Sequence, residues 1–419
     1  MAHTRLARER PSSASELGVR SGVPGAAVRV TSANWIDPPF NRWGFSHVRE
    51  LTRTVRVARG AGAAWHLPEQ RDASVPAVRF EHGGFEWTYL QALEATYTDA
   101  AVVVHRGKLL FEYYDNGISP TQPHLLMSVS KSLTATLVGV LVGEGRVRAD
   151  DSVVAHIAEL RGTPWEGCTV QHLLDMTAGA AFSEHDMDDP DSDGCLIEQV
   201  SGYTLVVGAT NRRPDLPPDT RAWIRSLGNQ QPHGAAFVYR SILTDVLGWI
   251  VEEATGQRFA EVFSDRLWSR IGAERDADLI VDAAGFPVVE GGLCATARDL
   301  ARFGQMHLQR GVADGEPVVP AAWCDRVVQR DQALIDSFAA GYDADSANPE
   351  AYYHDCWWVL DAAHGRYGGY GIGGQNLLID RSTETVVVKL SSWPKRIDPL
   401  LSALGDAAHA ALLDHLAAR

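Results

Sequence analysis

His124-Leu125-Leu126-Met127-Ser128-Val129-Ser130-Lys131-Ser132-Leu133 places a serine and a lysine three positions apart at the head of an apolar segment. On a helix, positions i and i+3 share a face, so the Ser128 hydroxyl and the Lys131 amine meet. An adjacent base is what turns a serine into a nucleophile. Lysine is scarce in this chain and occurs only at Lys108, Lys131, Lys389 and Lys395, so the pairing is not compositional background. Burial disfavours a charged amine, and Lys131 is therefore expected to give up its proton beside Ser128. Ser130 points to another face and is the weaker nucleophile candidate.

Outward from this segment, Lys131 to Glu144 reads as a buried helix that stops at Gly145. Upstream, Ala100–Val104 and Lys108–Tyr114 read as strands joined by a turn at Arg106-Gly107. Downstream, helices are expected at Val170–Met176, Thr244–Glu253, Phe259–Ser269, Ala297–Gln309 and Leu400–Ala417. Further strand-like runs are Cys356–Leu360, Asn376–Ile379 and Thr385–Leu390. Strands at both chain ends with helices between them imply an α+β (α/β-type) architecture. One antiparallel sheet is built from both ends, flanked by helices, with a helical lobe of about residues 120–280 inserted. Residues 1–34 show no periodicity and are expected to be a flexible arm before a catalytic domain of 35–419. Glu184 to Gly234 is polar and irregular, as in binding loops or lids.

Four other stretches bear on chemistry. Tyr239, in Phe237-Val238-Tyr239-Arg240-Ser241 before a helix, is placed to offer a phenol as acid or base. Gly368-Gly369-Tyr370-Gly371-Ile372-Gly373-Gly374-Gln375 matches G-x-G-x-x-G formally, but a strand follows where a dinucleotide site needs a helix. Bare backbone there suits close substrate approach and oxyanion donation instead. Ser392-Trp393-Pro394-Lys395 repeats the S-x-x-K spacing, yet Pro394 disfavours the helical face it would need. Asp189-Pro190-Asp191-Ser192-Asp193-Gly194 imitates the start of a calcium loop, but Val200 stands where its bidentate glutamate belongs. The chain has neither G-x-S-x-G nor H-E-x-x-H.

The formal charge of −15 argues against nucleic-acid and anionic-membrane partners. The five cysteines are scattered without C-x-x-C spacing, as in reduced thiols of a cytoplasmic protein. The longest apolar run, Leu133–Val142, is half of the roughly 20 residues a membrane span requires, and no apolar export signal appears before Val30.

The S-x-x-K pairing is a signature of penicillin-binding proteins and β-lactamases. The segment around Ser128 resembles the nucleophile segment of the 6-aminohexanoate-dimer hydrolases, in the class C β-lactamase and penicillin-binding superfamily. The similarity extends through Pro38–Trp43, Phe237–Tyr239, Thr244–Leu247, Thr296–Arg302, Gly374–Leu377 and Val388–Pro394. It implies a β-lactamase/transpeptidase-like fold, with Ser128 acylated, Lys131 as its proton partner and Tyr239 as the third catalytic group. It also implies an oxyanion hole from the backbone N–H groups of Ser128 and Ile372, and no metal or organic cofactor. Substrate-contacting positions depart from that pattern: Asp186 stands for a tyrosine, Glu290 for an asparagine and Gly373 for a histidine. Together with Ser241 and Gly374 these are the candidate substrate-pocket residues. The expected function is a serine esterase or amidase on a small molecule. The alternatives are transfer of the acyl group to an amine or alcohol acceptor, and a non-catalytic ligand-binding member of the fold. A homodimer is compatible with these features.

Overall fold

The computed structural model describes residues 10–20, 28–184, 189–204, 213, 215–341 and 351–419. Its centre is a seven-stranded sheet made from two distant parts of the chain. The first part supplies β1 (Thr98–His105) and β2 (Lys108–Tyr114). The second supplies β3 (Tyr352–His354), β4 (Trp357–Asp361), β5 (Arg366–Gly371), β6 (Gln375–Asp380) and β7 (Thr385–Ser391). The order is β3-β4-β5-β6-β7-β1-β2, antiparallel throughout, so the expected sheet from both ends is present.

β1 and β7, both Val-rich and buried on both faces, pair inside the sheet where its two parts meet, with Val102 opposite Val388. Such strands need cover on each side. On one face lies α1 (Val129–Gly143), buried around almost its whole circumference. With it pack α2 (Asp193–Val200), α3 (Ile242–Thr255) and α4 (Ala297–Leu308) in one large apolar core. On the other face, α5 (Pro399–Ala417) packs with Tyr89–Ala95 against Val103, Leu378 and Val387. Between β2 and β3 the chain forms the helices that carry the site. Among the described residues, no helix is long and apolar enough to cross a membrane, and all five cysteines are free.

Two local readings change. The polar stretch Glu184–Gly234 contains α2 and a helix at Thr220–Ser226. Ser192 and Asp219 cap them, accepting from the N–H groups of Cys195 and Ala222. The calcium-like run is thus a helix cap and first turn. Within the expected arm, residues 10–20 and 28–34 lie against the body: Ala14 N–H donates to Asn116 (2.6 Å), and Ala14, Val19 and Val30 are buried.

Lys389 is buried on β7, where it donates to Ser391 Oγ at 2.7 Å with Nζ 5.4 Å from the centre of the Trp393 ring. Burial pushes its pKa down to about 7, with Asp99 and Asp406 opposing weakly. The unfolded chain therefore binds this proton between about pH 7 and 10.5 while the folded chain does not. Stability rises with pH across that window. Lys389→Met is expected to stabilise the protein by roughly 2–5 kcal/mol at pH 6 and far less at pH 10. Urea unfolding at the two pH values measures the difference; an equal effect at both contradicts it.

Candidate active site

Ser128 occupies the N-cap position of α1, and its side chain makes no capping bond. The preceding Met127 holds a left-handed φ of 47°, costly for a side chain with a β-carbon, and this turns the chain sharply into the helix. The turn presents a half-buried Ser128 at the surface of the site. Gly371, at the end of β5, lies directly against it. A β-carbon there would stand 2.8 Å from Met127 Cβ and 3.0 Å from Ser128 N. The glycine-rich run is therefore a strand packed backbone-to-backbone on the Met127–Ser128 turn. Gly373 and Gly374, with φ of 72° and 89°, carry it back into β6.

Lys131 lies one turn into α1, with 1% of its surface exposed. Its Nζ donates to Ser128 Oγ at 2.8 Å, to the Glu290 carbonyl at 2.7 Å and to the Glu290 carboxylate at 3.5 Å. Tyr239 completes the group: it lines the same cavities as Ser128, and Lys131 Nζ lies 5.1 Å from the centre of its ring. Its ring stacks on Trp358 (5.9 Å, 19°) and meets Tyr353 edge-on. The loop carrying Tyr239 is pinned from behind. Arg240, fully buried, donates to the carbonyls of Phe182 and Ala178, and Val238 N–H donates to Met176 O.

The charge state of Lys131 departs from expectation. Burial does favour the neutral amine, but Tyr239, Glu290 and Glu184 together outweigh it and raise the pKa above that of an ordinary lysine. Tyr239 is also raised, chiefly by burial, with Lys131 pulling the other way. Glu184 accepts from Ser241 N–H at 2.9 Å, and burial lifts its pKa. Asp245, on α3, accepts from the N–H groups of Val289 and Glu290 at 3.0 and 3.2 Å. Burial and the neighbouring Glu290 charge keep its own carboxyl well above the usual range.

Two cavities meet at Ser128, Tyr239 and Ile372. The wide one, about 1170 Å³, runs past Trp358, Tyr370 and Gly374 toward α5. The small one, about 150 Å³, is lined by Phe45, Ile197 and Gly373 and by Glu184, Ser241 and Glu290. Its rim carries the Glu198–Arg396 ion pair, which joins α2 to the loop after β7. Ser128, Lys131, Tyr239, Ile372, Ser241, Glu290, Gly373 and Gly374 are thus brought together, while Asp186 lies outside the described residues. The second S-x-x-K is structural: Ser392 donates to Asp99 in a buried cluster with Arg42 and His124. Sequence reading missed Glu184, Glu198, Arg396 and Trp358; only the polar character of the 184–234 segment hinted at the first two. Asp175, His354 and Asp355 could in principle hold a metal. The Arg326 guanidinium, 2.7 Å from Asp355, already supplies the positive charge there.

The arrangement can move a proton from a serine hydroxyl, attack a carbonyl and bind the resulting oxyanion at a helix N-terminus. Comparison with known proteins agrees. Residues 88–412 match the Beta-lactamase family model. A 6-aminohexanoate-dimer hydrolase of Paenarthrobacter ureafaciens is 40% identical over 379 residues, 88% of this chain and 90% of that one. A solved Bacillus anthracis structure described as a 6-aminohexanoate-dimer hydrolase superposes with TM-score 0.83 at 27% identity, covering 92% of this chain and 97% of that one. EstCE1, a hydrolase with promiscuous acyltransferase activity, shares the fold at TM-score 0.58 and 15% identity, over 77% of this chain and 98% of its own. The chain belongs to the beta-lactamase family and is a serine hydrolase acting on amides or esters.

Proposed function

We propose that Ser128 carries the acyl group in a two-step hydrolysis of a small ester or amide. The observation that carries this reading is the Ser128–Lys131 contact of 2.8 Å at the N-terminus of α1, where two cavities meet. Ser128 Oγ attacks the carbonyl carbon while Lys131 and Tyr239 share the proton work. The backbone N–H groups of Ser128 and Ile372 hold the tetrahedral oxyanion. The proton then passes to the leaving oxygen or nitrogen, and water repeats the sequence to free the acid. No metal or organic cofactor has a part in these steps.

The small cavity suits the acyl portion, and the wide cavity suits the leaving group and the incoming water. The relative's name points to short linear amides, while Glu290 and Gly373 alter the substrate-contacting surface. Esters are the readiest substrates because their leaving group is better. The test is a panel of p-nitrophenyl esters, aminohexanoate oligomers, D-amino-acid amides and nitrocefin, run beside Ser128→Ala. Hydrolysis of an ester or linear amide that disappears in the variant supports the reading; equal turnover by both proteins sinks it. The wide cavity, at about 1170 Å³, also has room for an amine acceptor in place of water. Partition of product between acid and amide, with amine added, distinguishes transfer from hydrolysis. The free thiols fit action in a reducing, cytoplasmic setting.

A further inference from the structure

We propose that Tyr203 is a specificity-determining residue whose hydroxyl donates to an oxygen on the acyl group, so that the small cavity selects a short hydroxyacyl chain over its alkyl counterpart. This deepens the acyl-enzyme reading above and rests on it. Tyr203 lies just beyond α2, only 5% exposed, and lines the small cavity. Its ring stacks on Trp35 (6.1 Å, 4°), and Trp35 Nε1 donates to the Tyr203 carbonyl at 2.6 Å. Thr52 Oγ1 donates to the Gly202 carbonyl and holds the turn before it. The aromatic body is therefore fixed, and the hydroxyl is the polar group it has to offer a ligand.

The hydroxyl is placed beside the reacting serine. A β-carbon at Gly291 would stand 2.6 Å from Tyr203 Oη and 3.7 Å from the Met127 carbonyl carbon. Tyr203 Oη thus fills the notch that a glycine leaves next to the peptide leading into Ser128. It has no hydrogen-bond partner among the described residues, and its oxygen is not shut off from the cavity. A tyrosine buried this deeply ordinarily has a partner for its O–H. Burial first, and Glu290 second, push its pKa well up, so the phenol stays a donor. Asn41 lines the same cavity. Its Nδ2 donates to Trp393 O at 2.7 Å, which leaves a buried Oδ1 acceptor without a partner among the described residues.

These two groups define the occupant. Tyr203 needs an acceptor and Asn41 needs a donor. A hydroxyl does both through one atom, whereas a carboxylate only accepts and an ammonium only donates. The carboxylates of Glu198 and Glu290, which face the Tyr203 hydroxyl, are already paired, the first with Arg396 and the second with Lys131 at 3.5 Å. An ammonium therefore gains little there, and a carboxylate is repelled. Phe45, Ile197 and Ile372 supply apolar wall for a carbon chain. A cavity of about 150 Å³ holds roughly one benzene-sized group. The occupant is a short, neutral acyl chain with a hydroxyl a few bonds from its carbonyl.

The p-nitrophenyl esters of 3-hydroxybutyrate and 3-methylbutyrate test this, because they differ only by a hydroxyl in place of a methyl. The ratio of their kcat/KM values is read, so any loss of rate common to both cancels. Tyr203→Phe, which keeps the ring on Trp35, is expected to lower the ratio about fivefold or more against the wild type. A ratio within about twofold of the wild type overturns the proposal. If Tyr203→Phe does not fold, Gly291→Ala puts a β-carbon in the notch at a position whose φ is not left-handed. It should displace the hydroxyl and lower the ratio in the same direction. Binding is read without turnover on Ser128→Ala, by ligand-observed NMR with 3-hydroxybutyramide and 3-methylbutyramide. Adding Tyr203→Phe should cut the relative affinity for the hydroxyamide by a similar factor; an unmoved preference overturns the proposal. Full hydrolysis by Ser128→Ala would remove the acyl-enzyme reading and leave this binding result standing.

Discussion

Ser128→Ala is expected to lower kcat on the best substrate of the panel by about 10⁴-fold or more while leaving the fold intact. The hydroxyl makes no capping bond to α1, so its loss costs the helix little. The methyl left behind stays in a half-buried position beside an unchanged Lys131. Under the proposed roles, what disappears is the atom that attacks a carbonyl held between the Ser128 and Ile372 N–H groups. A Ser128→Ala protein with the wild-type melting temperature and undiminished turnover would mean that the chemistry lies elsewhere. Steady-state kinetics on matched, folded samples decides it.

Tyr239→Phe carries the second largest expected effect. The ring keeps its stacking on Trp358 and its edge contact with Tyr353, so packing and thermal stability should change little. Only the hydroxyl goes, and with it the phenol beside Ser128 in the cavities. Loss of a positioned acid–base group is worth roughly 10²–10⁴-fold in rate. The loss should appear in kcat, with KM nearly constant, because the phenol acts on the moving proton more than on the bound substrate. A variant that raises KM tenfold and spares kcat would reassign Tyr239 to substrate binding.

The parts of this protein legible in its sequence are those set by short spacings. Ser128 and Lys131 are one helical turn apart, and Gly368–Gly374 is a bare strand with a tight return, so each follows from local geometry. The sheet from both chain ends followed from where the Val-rich runs fall. What escaped depends on contacts between distant segments. Glu184, Glu290 and Asp245 reach Lys131 only after α1, α3 and the 184 and 290 turns are packed together. The lysine was therefore expected to be neutral: its burial was visible, and the Tyr239, Glu290 and Glu184 groups that oppose burial were not. The helix at Asp193–Val200 hid for a different reason. Its cap is Ser192, a residue type that also marks loops, and its apolar face is only Leu196, Ile197 and Val200. Arg396 gained meaning only through Glu198, across 198 residues of chain.

The most direct measurement of the central claim is the site of covalent trapping. The wild-type protein is treated with a fluorophosphonate, and the adduct is located by peptide mass spectrometry. A single phosphonyl group on Ser128, absent from Ser128→Ala and strongly slowed in Tyr239→Phe, is the expected result. No adduct, or an adduct on any other residue with Ser128 unmodified, would contradict an acyl-enzyme at Ser128.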